Sequence, residues 1–410
     1  MIFVDLHIHS RFSRATSKDI TLENLEKWAR IKGLDILGTG DFTHPEWLDE
    51  LKKNLKEKSN IFYSKSGFKF ILTGEISLVF SLGRGRRVHL VLLAPNFETV
   101  DKINSYLDKK GRRDYDGRPI FSISCEEFTK EMKNISDKIE VIPAHIWTPW
   151  FGVLGSKSGF DSLKEAFGSQ INNIHAIETG LSSNPQMNLR IKELHDKTIV
   201  SFSDAHSFWP WRIGREATIF NSVNSYDELI EAIRKNNIIG TIEVNPAYGI
   251  YHFDGHRNCN FSCPPEETKK LKGICPVCNT PLTIGVDYRV QELSDSEYSF
   301  SLEKRNSMQV EKLQLPKLVY EILPLHEVIA LALESSVNTK TVWSEYNKLI
   351  DAFGNEFKIL LTAEKQELGK ITSDKISDLI IKNRNNKIKV KPGYDGVYGI
   401  PVLEEQAKLF

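Results

Sequence analysis

Asp5-Leu6-His7-Ile8-His9-Ser10 sets two imidazoles two residues apart, directly after the apolar run Ile2-Phe3-Val4. Side chains alternate faces along a strand, so His7 and His9 project together while Leu6 and Ile8 point the other way. Such a pair is half of a metal site or a hydrogen-bonded pair of histidines, and the rest of the chain must decide. Further candidates follow at long intervals: Asp41 after Thr39-Gly40, Glu75 after Gly74, His89, His145 after Pro143-Ala144, then Asp204 and His206 in Ser203-Asp204-Ala205-His206. Apart from His89, which lies inside its strand pattern, each falls at the C-terminal end of a predicted strand, the rim on which (β/α) barrels build their sites. An imidazole–carboxylate set without thiols suits zinc, manganese or iron, and it exceeds the four ligands of one tetrahedral ion. The set therefore predicts a centre of two or three metals bridged by Glu75 or Asp204. Paired metals stabilise both oxygens of an in-line phosphoryl displacement and bring the pKa of bound water to about 7, so no nucleophilic Ser or Cys is needed. The chemistry indicated is phosphate ester hydrolysis, with Glu75, Asp204 and His206 as the catalytic members.

The elements that must position these residues alternate in type through residues 1–245. Thr21 caps a predicted helix with the stripe Leu22, Leu25 and Ala29, ending near Gly33. Leu34 to Gly38 reads as a strand, and a helix from Pro45 carries Trp47, Leu48, Leu51 and Leu55. Strand signals recur at Phe70 to Leu72, Val88 to Leu93, Ile139 to Ile142, Ile174 to Ile177 and Ile199 to Phe202. This alternation predicts an α/β fold, a parallel sheet covered by helices, closed as a barrel or open. From Asn245 to Arg289, Pro, Gly and Cys replace periodic apolar runs, and from about Leu313 the pattern becomes helical, through Leu318, Ile322 and Leu323, then Val328 to Leu333 and Val342 to Phe353.

Four of the five cysteines form Cys259-x3-Cys263-x11-Cys275-x2-Cys278, the spacing of a four-thiolate structural zinc site. His252 and His256 beside it read as surface residues, and Cys125 as a small structural thiol. Cationic stretches occur at Gly83 to Arg87, Lys109 to Arg113, Trp209 to Arg215 and Lys382 to Lys391. Arg84, Arg86, Arg212 and Arg215 would contact backbone phosphates. Trp147, Trp150 and Phe151 follow His145 at once, and Trp211 lies within a second aromatic run; aromatics beside a hydrolytic rim can stack on an unpaired base.

In their order, Asp5 to Ser10, Gly40-Asp41, Gly74-Glu75, His89, His145 and Asp204-Ala205-His206 resemble the successive motifs of the polymerase-and-histidinol-phosphatase (PHP) superfamily. The resemblance implies a distorted (β/α)7 PHP barrel with a trinuclear metal site over about the first 240 residues. Two departures stand out. Thr39-Gly40-Asp41 replaces the usual Thr-Asp-His, and Ser13-Arg14 stands where many relatives carry an acid or histidine, which leaves His44 as a further ligand or substrate contact. Over nearly its full length the chain also resembles endonuclease Q, through Pro143 to Gly152, Glu178-Thr179-Gly180-Leu181-Ser182-Ser183-Asn184-Pro185, Gly214 to Thr218 and Pro392 to Gly399. That family combines a PHP barrel, a four-cysteine zinc domain and a C-terminal helical DNA-binding domain, here expected at 1–245, 246–312 and 313–410. The resemblance implies incision of DNA 5′ of deaminated bases (uracil, hypoxanthine, xanthine) or abasic sites, with the lesion flipped into a pocket. It adds Glu178, Ser182, Asn184 and Tyr394 to the substrate contacts, structural Zn at Cys259, Cys263, Cys275 and Cys278, and two or three divalent ions (Zn, Mn, Fe or Mg) in the barrel. Gln406, Leu409 and Phe410 in the last five residues are similar to the peptide by which bacterial proteins dock on the sliding clamp, placing two apolar side chains in a groove.

The bulk composition bounds these readings. The 410 residues carry 54 basic and 54 acidic side chains, so no global field draws the protein to nucleic acid, although local patches can. There is no apolar run of roughly 18 residues and no export signal, so a cytoplasmic protein without membrane contact is expected. Competing readings are a PHP-type phosphatase of a small phosphorylated metabolite or nucleotide, and a DNA-binding adaptor with inert barrel metals.

Overall fold

The computed structural model of the chain describes residues 1–295 and 316–403; the expected clamp-binding residues Gln406, Leu409 and Phe410 lie outside the described residues. Its strands are β1 (Ile2–Asp5), β2 (Ile36–Gly38), β3 (Lys56–Lys58), β4 (Ile61–Tyr63), β5 (Lys69–Leu82), β6 (Arg84–Ala94), β7 (Ile120–Phe121), β8 (Glu140–Pro143), β9 (Ala176–Glu178), β10 (Thr198–Val200), β11 (Ala217–Phe220) and β12 (Gly240–Glu243). They continue as β13 (Asp254–His256), β14 (Phe261–Cys263), β15 (Leu318–Glu321), β16 (Lys389–Lys391) and β17 (Ile400–Val402).

The main sheet runs β15-β12-β11-β1-β2-β5 and extends from β5 through β6 to β8. β9 and β10 form a separate parallel pair. A few bonds seam that pair to its neighbours: the Ile146 N–H donates to the Glu178 carbonyl beside β8, and the Thr218 hydroxyl of β11 accepts from the Ser201 N–H and donates to the Ser201 carbonyl after β10. The mixed α/β fold is thus a ring of strands whose ladder stops short of closure. It is less parallel than expected. β1 pairs with β11 antiparallel, and β5 and β6 form one long antiparallel hairpin around Gly83. One consequence is a correction for Glu75, which sits in the middle of β5 rather than at a strand end, because β5 continues past the rim to pair with β6.

The local signals explain the covering helices. Helix Leu22–Lys32 begins where Thr21 Oγ1 accepts from the Asn24 N–H and stops at Gly33, whose φ of 100° suits glycine. Val4 and Leu6 bury one face of β1 against Ile36, Ile71, Val91, Val200, Phe220 and the helix Tyr226–Arg234. The opposite face carries Asp5, His7 and His9. Asp5 accepts from the Ser203 and Gly214 N–H groups at 3.0 Å each, tying β1 to both loops behind the site.

After the cysteine-rich segment, Leu318–Glu321 is a strand parallel to β12 rather than the start of a helix, a correction to the helical reading of that stretch. Ladder pairing to an existing sheet edge decided the conformation of a short apolar run that either period would fit. Beyond it, helices Leu325–Ala332, Lys340–Phe353, Glu356–Leu361 and Asp374–Arg384 pack on one another. A buried ion pair locks this bundle to helix Leu22–Lys32: Lys32 Nζ lies 2.6 Å from Glu356 Oε1 and donates to the Pro210 carbonyl, while the Tyr346 hydroxyl donates to Glu356 Oε2. No described helix is long and apolar enough to cross a membrane.

Removing one partner of such a pair strands the other charge in the interior. Lys32→Met is expected to cost about 3–5 kcal/mol of unfolding free energy, and the double variant Lys32→Met with Glu356→Leu to recover most of it. Urea titration of the wild type and the two variants measures both numbers.

Candidate functional site

The loop after β2 shows how the fold aims these side chains. Trp47 is fully buried, and its Nε1–H donates to the carbonyls of Thr39 and Gly40. Gly40 has a φ of +64°, and a Cβ there would lie 2.4 Å from the Ile8 carbonyl oxygen, so only glycine fits. The next residue, Asp41, takes a φ of +47°, and the same left-handed backbone recurs at His145 (31°) and Asp204 (47°). Left-handed backbone at a non-glycine residue costs free energy that surrounding bonds must offset, and it clusters at functional sites.

The expected ligands converge in two groups that share Glu75: His7, His9, Glu75 and Asp204, and Glu75, His89 and His145, the candidate atoms of each group lying within 4.8 Å of one another. Glu75 Oε2 stands 3.3 Å from His9 Nε2 and 3.5 Å from His7 Nε2, and Oε1 stands 2.8 Å from His89 Nδ1 and 3.3 Å from His145 Nε2. Asp204 Oδ1 lies 3.0 Å from His9 Nε2. His206 stands at the edge, its ring 4.5 Å from that of His9 and its Nδ1–H donating to the Asp204 carbonyl.

A surrounding set of bonds selects the ring nitrogens that face inward. His7 Nδ1–H donates to Glu178 Oε1 at 2.8 Å, whose other oxygen accepts from the His145 N–H. His9 Nδ1–H donates to Asp41 Oδ1 at 3.0 Å. Asp41 Oδ2 accepts from the Ser10 N–H, the Ser10 hydroxyl and the Ser13 hydroxyl. Asp41 therefore sits behind His9, with both oxygens engaged, rather than among the inward-facing atoms. Nδ1 donation turns Nε2 of His7 and His9 toward the centre, as the nitrogen that would face a metal.

Burial opposes the charge of Glu75, yet His89, the Arg118 guanidinium and His7 outweigh it and hold the carboxyl well below its usual range. Burial pushes His89 down to about 3 against the pull of Glu75. Burial likewise opposes protonation of His7 and His9, but the carboxylates around them win and raise both well above the ordinary value. The fit to a metal centre rests on one atom above all. His7 Nε2 is buried without a hydrogen-bond partner, aimed between carboxylate oxygens at 3.5 Å, where a divalent ion would satisfy it.

In the cysteine-rich segment, Cys259, Cys275, Cys278 and His256 share one centre. His256 Nδ1 lies 3.2 Å from Cys278 Sγ. Cys263 packs beside Cys275, with its Sγ 3.2 Å from the Thr268 hydroxyl. The cluster is present as expected, but His256 is a member and not a surface residue. His256-x2-Cys259 mirrors Cys275-x2-Cys278, a spacing legible in the chain, and the 3-10 turn Arg257–Cys259 brings its two ends to one side. Cys125 is buried at the start of helix Cys125–Ile135, its thiol pushed up by burial.

A cavity of about 620 Å³ opens beside the cluster, lined by His89, His145, Asp204 and His206 together with Trp150, Phe151, Ser182 and Arg215. Thr148, Leu181, Tyr251 and Tyr398 also line it; Thr148, Leu181 and Tyr398 lie within the stretches that carry the family resemblance but were not singled out, and Tyr251 had no sequence signal. Other expected substrate contacts lie elsewhere. Glu178 is buried holding His7 and His145, and Trp147 is buried with its Nε1–H donating to Asn188. His44 stacks on Phe12 at 4.2 Å, outside both groups. Asn184 caps the turn Pro185–Asn188 and donates to Glu321. Arg84 and Arg86 donate to the Gly159 carbonyl at the hairpin tip, and Trp211 and Arg212 line a separate cavity with Tyr248 and Glu327. Tyr394 is buried on the cysteine-rich segment, its hydroxyl donating to Asn260, while the nearby Tyr398 reaches the cavity.

A mixed α/β fold that gathers imidazoles and carboxylates around one shared carboxylate defines a metal-binding protein of the hydrolase type. Comparison with known proteins narrows the class. The family model described as MJ0043 C-terminal domain matches residues 324–387. Protein MJ0043 of Methanocaldococcus jannaschii is 31% identical over 301 residues, 70% of this chain but only 34% of that protein, so the chain spans about a third of its length. YqxK of Bacillus subtilis is 27% identical, covering 97% of this chain and 98% of that one. Among solved structures, the lesion-specific endonuclease PfuEndoQ from Pyrococcus furiosus superposes with a TM-score of 0.83 at 28% identity, covering 100% of this chain and 99% of that one. An endonuclease Q complex with a 27-mer duplex bearing an abasic lesion gives a TM-score of 0.85 at 31% identity, covering 98% of this chain and 97% of that one. The chain belongs to the endonuclease Q family.

The membership of the cysteine cluster is open to direct measurement. His256→Ala and Cys278→Ser are each expected to lose one equivalent of bound metal by native mass spectrometry, whereas Cys263→Ser retains it. Retention by His256→Ala together with loss by Cys263→Ser would restore the four-thiolate set.

Proposed function

We infer that this chain hydrolyses the DNA phosphodiester 5′ of deaminated bases (uracil, hypoxanthine, xanthine) and at abasic sites, using two or more divalent metals. Endonuclease Q enzymes are DNA-cleaving hydrolases, and this chain is one of them. The observation that carries the finer reading is Glu75, shared by two ligand groups whose members His89, His145 and Asp204 line a cavity large enough for an everted nucleotide. That a relative was solved with an abasic lesion at its active site supports abasic DNA as one substrate.

His7, His9 and Asp204 would hold one ion, His89 and His145 another, and Glu75 both. Bound there, the metals would supply Lewis acidity and a water of lowered pKa. The chain's own residues do the rest. Glu178 and Asp41 fix the imidazole tautomers of His7 and His9, and the Thr148 hydroxyl lies 2.9 Å from His145 Nδ1. Phe151 stacks on the His89 ring at 4.2 Å, so the wall against which a base would lie also braces a ligand. Trp150, 5.6 Å from Tyr251, continues that aromatic wall. Structural zinc at the cysteine cluster would hold the module that delivers Tyr251. We also assign Gln406, Leu409 and Phe410 to docking on the bacterial sliding clamp.

Duplexes carrying uracil, hypoxanthine or an abasic site should be nicked 5′ of the lesion only when divalent metal is present, and Asp204→Ala should abolish nicking. Asp41→Asn should retain cleavage reduced by about 10–100-fold, the loss typical of a residue that orients a ligand. Intact lesion duplex after incubation with folded, metal-loaded protein would sink the reading, and faster phosphate release from monoesters would replace it with a phosphatase. Separately, deleting Gln406 to Phe410 should abolish binding to the clamp in a pull-down with purified components while nicking continues; unchanged clamp binding refutes the docking assignment.

A further inference from the structure

One cation enters the ligand cluster without being an imidazole. Arg118 Nη1 donates to Glu75 Oε2 at 2.9 Å, the oxygen that also faces His7 and His9. Its guanidinium cannot lose its proton, and proximity to Glu75 and Asp204 holds its pKa higher still against burial. The side chain is 22% exposed, so part of the fork remains open to solvent while Nη1 holds Glu75.

The loop that carries Arg118 is lodged against the site. Asp116 Oδ1 accepts from the Arg118 N–H, the Thr43 hydroxyl donates to the Gly117 carbonyl, and the Ser77 N–H donates to the Pro119 carbonyl. A Cβ on Gly117 would lie 2.2 Å from Asp41 Oδ2 and 2.4 Å from the Ser13 hydroxyl, so the loop lies flush on the residues that orient His9. The guanidinium is therefore delivered by fixed backbone and not by a long side chain searching from the surface.

A permanent positive charge at that place does nothing for metal binding. It competes with divalent ions for Glu75, whose charge the four imidazoles can already stabilise. Its charge becomes useful when an anion stands over the cluster, because the guanidinium fork can hold Glu75 with one edge and a phosphate oxygen with another. Neither of two other arginines near the rim bonds to Glu75: Arg215 donates twice to the Ser203 carbonyl while its Nη1 has no partner, and the exposed Arg14 pairs with Asp116. We propose that Arg118 is the substrate-binding residue that grips the phosphodiester at the metal cluster, with Glu75 as its positioning partner. This rests on the phosphodiester reading above.

The test separates phosphate binding from ligand support. Arg118→Gln and Arg118→Lys, each checked for wild-type melting temperature, are compared with the wild type in three measurements. Metal content by mass spectrometry should stay at the wild-type level in both variants. Binding of an uncleavable abasic-analogue duplex should weaken by about tenfold or more in Arg118→Gln, as for loss of a charged hydrogen bond. The slope of log affinity against log salt should fall by about one in Arg118→Gln, and Arg118→Lys should keep that slope because it keeps the charge. Calorimetry with inorganic phosphate and metal-loaded protein gives an arm independent of nuclease activity: Arg118→Gln should bind it more weakly than the wild type does. Loss of metal in step with loss of DNA binding would make Arg118 a support for Glu75 alone, and wild-type affinity for both duplex and phosphate in Arg118→Gln would overturn the proposal. A wild type that binds phosphate through Arg118 yet never nicks lesion DNA would refute the nuclease reading and leave Arg118 as a phosphate-binding residue only.

Discussion

Glu75 is an ionised carboxylate with no side-chain exposure, and much of the site is the arrangement that makes this tolerable. Burying a lone carboxylate costs several kcal/mol, recovered only when partners surround both oxygens. Here Oε1 meets His89 and His145, and Oε2 meets His7, His9 and Arg118. No single element supplies these partners. They come from the end of β1, from β6, from the loop after β8 and from the loop before β7, so the ring of strands must be assembled before the charge can be buried. Fold and site are in this sense one constraint.

A second set of bonds turns that cluster into an oriented one. Glu178 holds His7 and the backbone of His145, and Asp41 holds His9 while the hydroxyls of Ser10 and Ser13 hold Asp41. The left-handed backbone at Asp41, His145 and Asp204 is the cost of turning His145 and Asp204 into the cluster, and Asp41 onto His9 behind it, from the tops of short strands. The bonds that these same residues make offset it.

The other parts of the chain are tied to this ring by specific contacts. β15 extends the main sheet, Lys32 and Glu356 join the first helix to the helical bundle, and Gly393 hydrogen bonds to Ala247 and Phe253. The cavity records the result, since Tyr251 and Tyr398 close a wall begun by Trp150 and Phe151. A substrate entering it would meet three stretches of sequence at once.

How much of this the sequence carries follows from the range of each interaction. Residue type was enough to pick out His7, His9, Glu75, His89, His145 and Asp204, because ligand chemistry demands those side chains, and alternation along a strand decides which pair shares a face, although Glu75 and His89 lie inside their strands rather than at strand ends. Caps and turns were equally local, as at Thr21 and Gly33. What the sequence left undetermined were relations between distant segments. The antiparallel course of β6, the strand at Leu318–Glu321, the retreat of Asp41 and Glu178 behind the imidazoles, and the entry of Arg118 each depend on which backbone lies alongside. His256 belongs between the two cases: its spacing to Cys259 was visible, but only the hairpin of β13 and β14 turns it toward Cys275 and Cys278. Side-chain chemistry is written residue by residue, whereas the partner that spends or frees a charge is chosen by the packing of elements far apart in the chain.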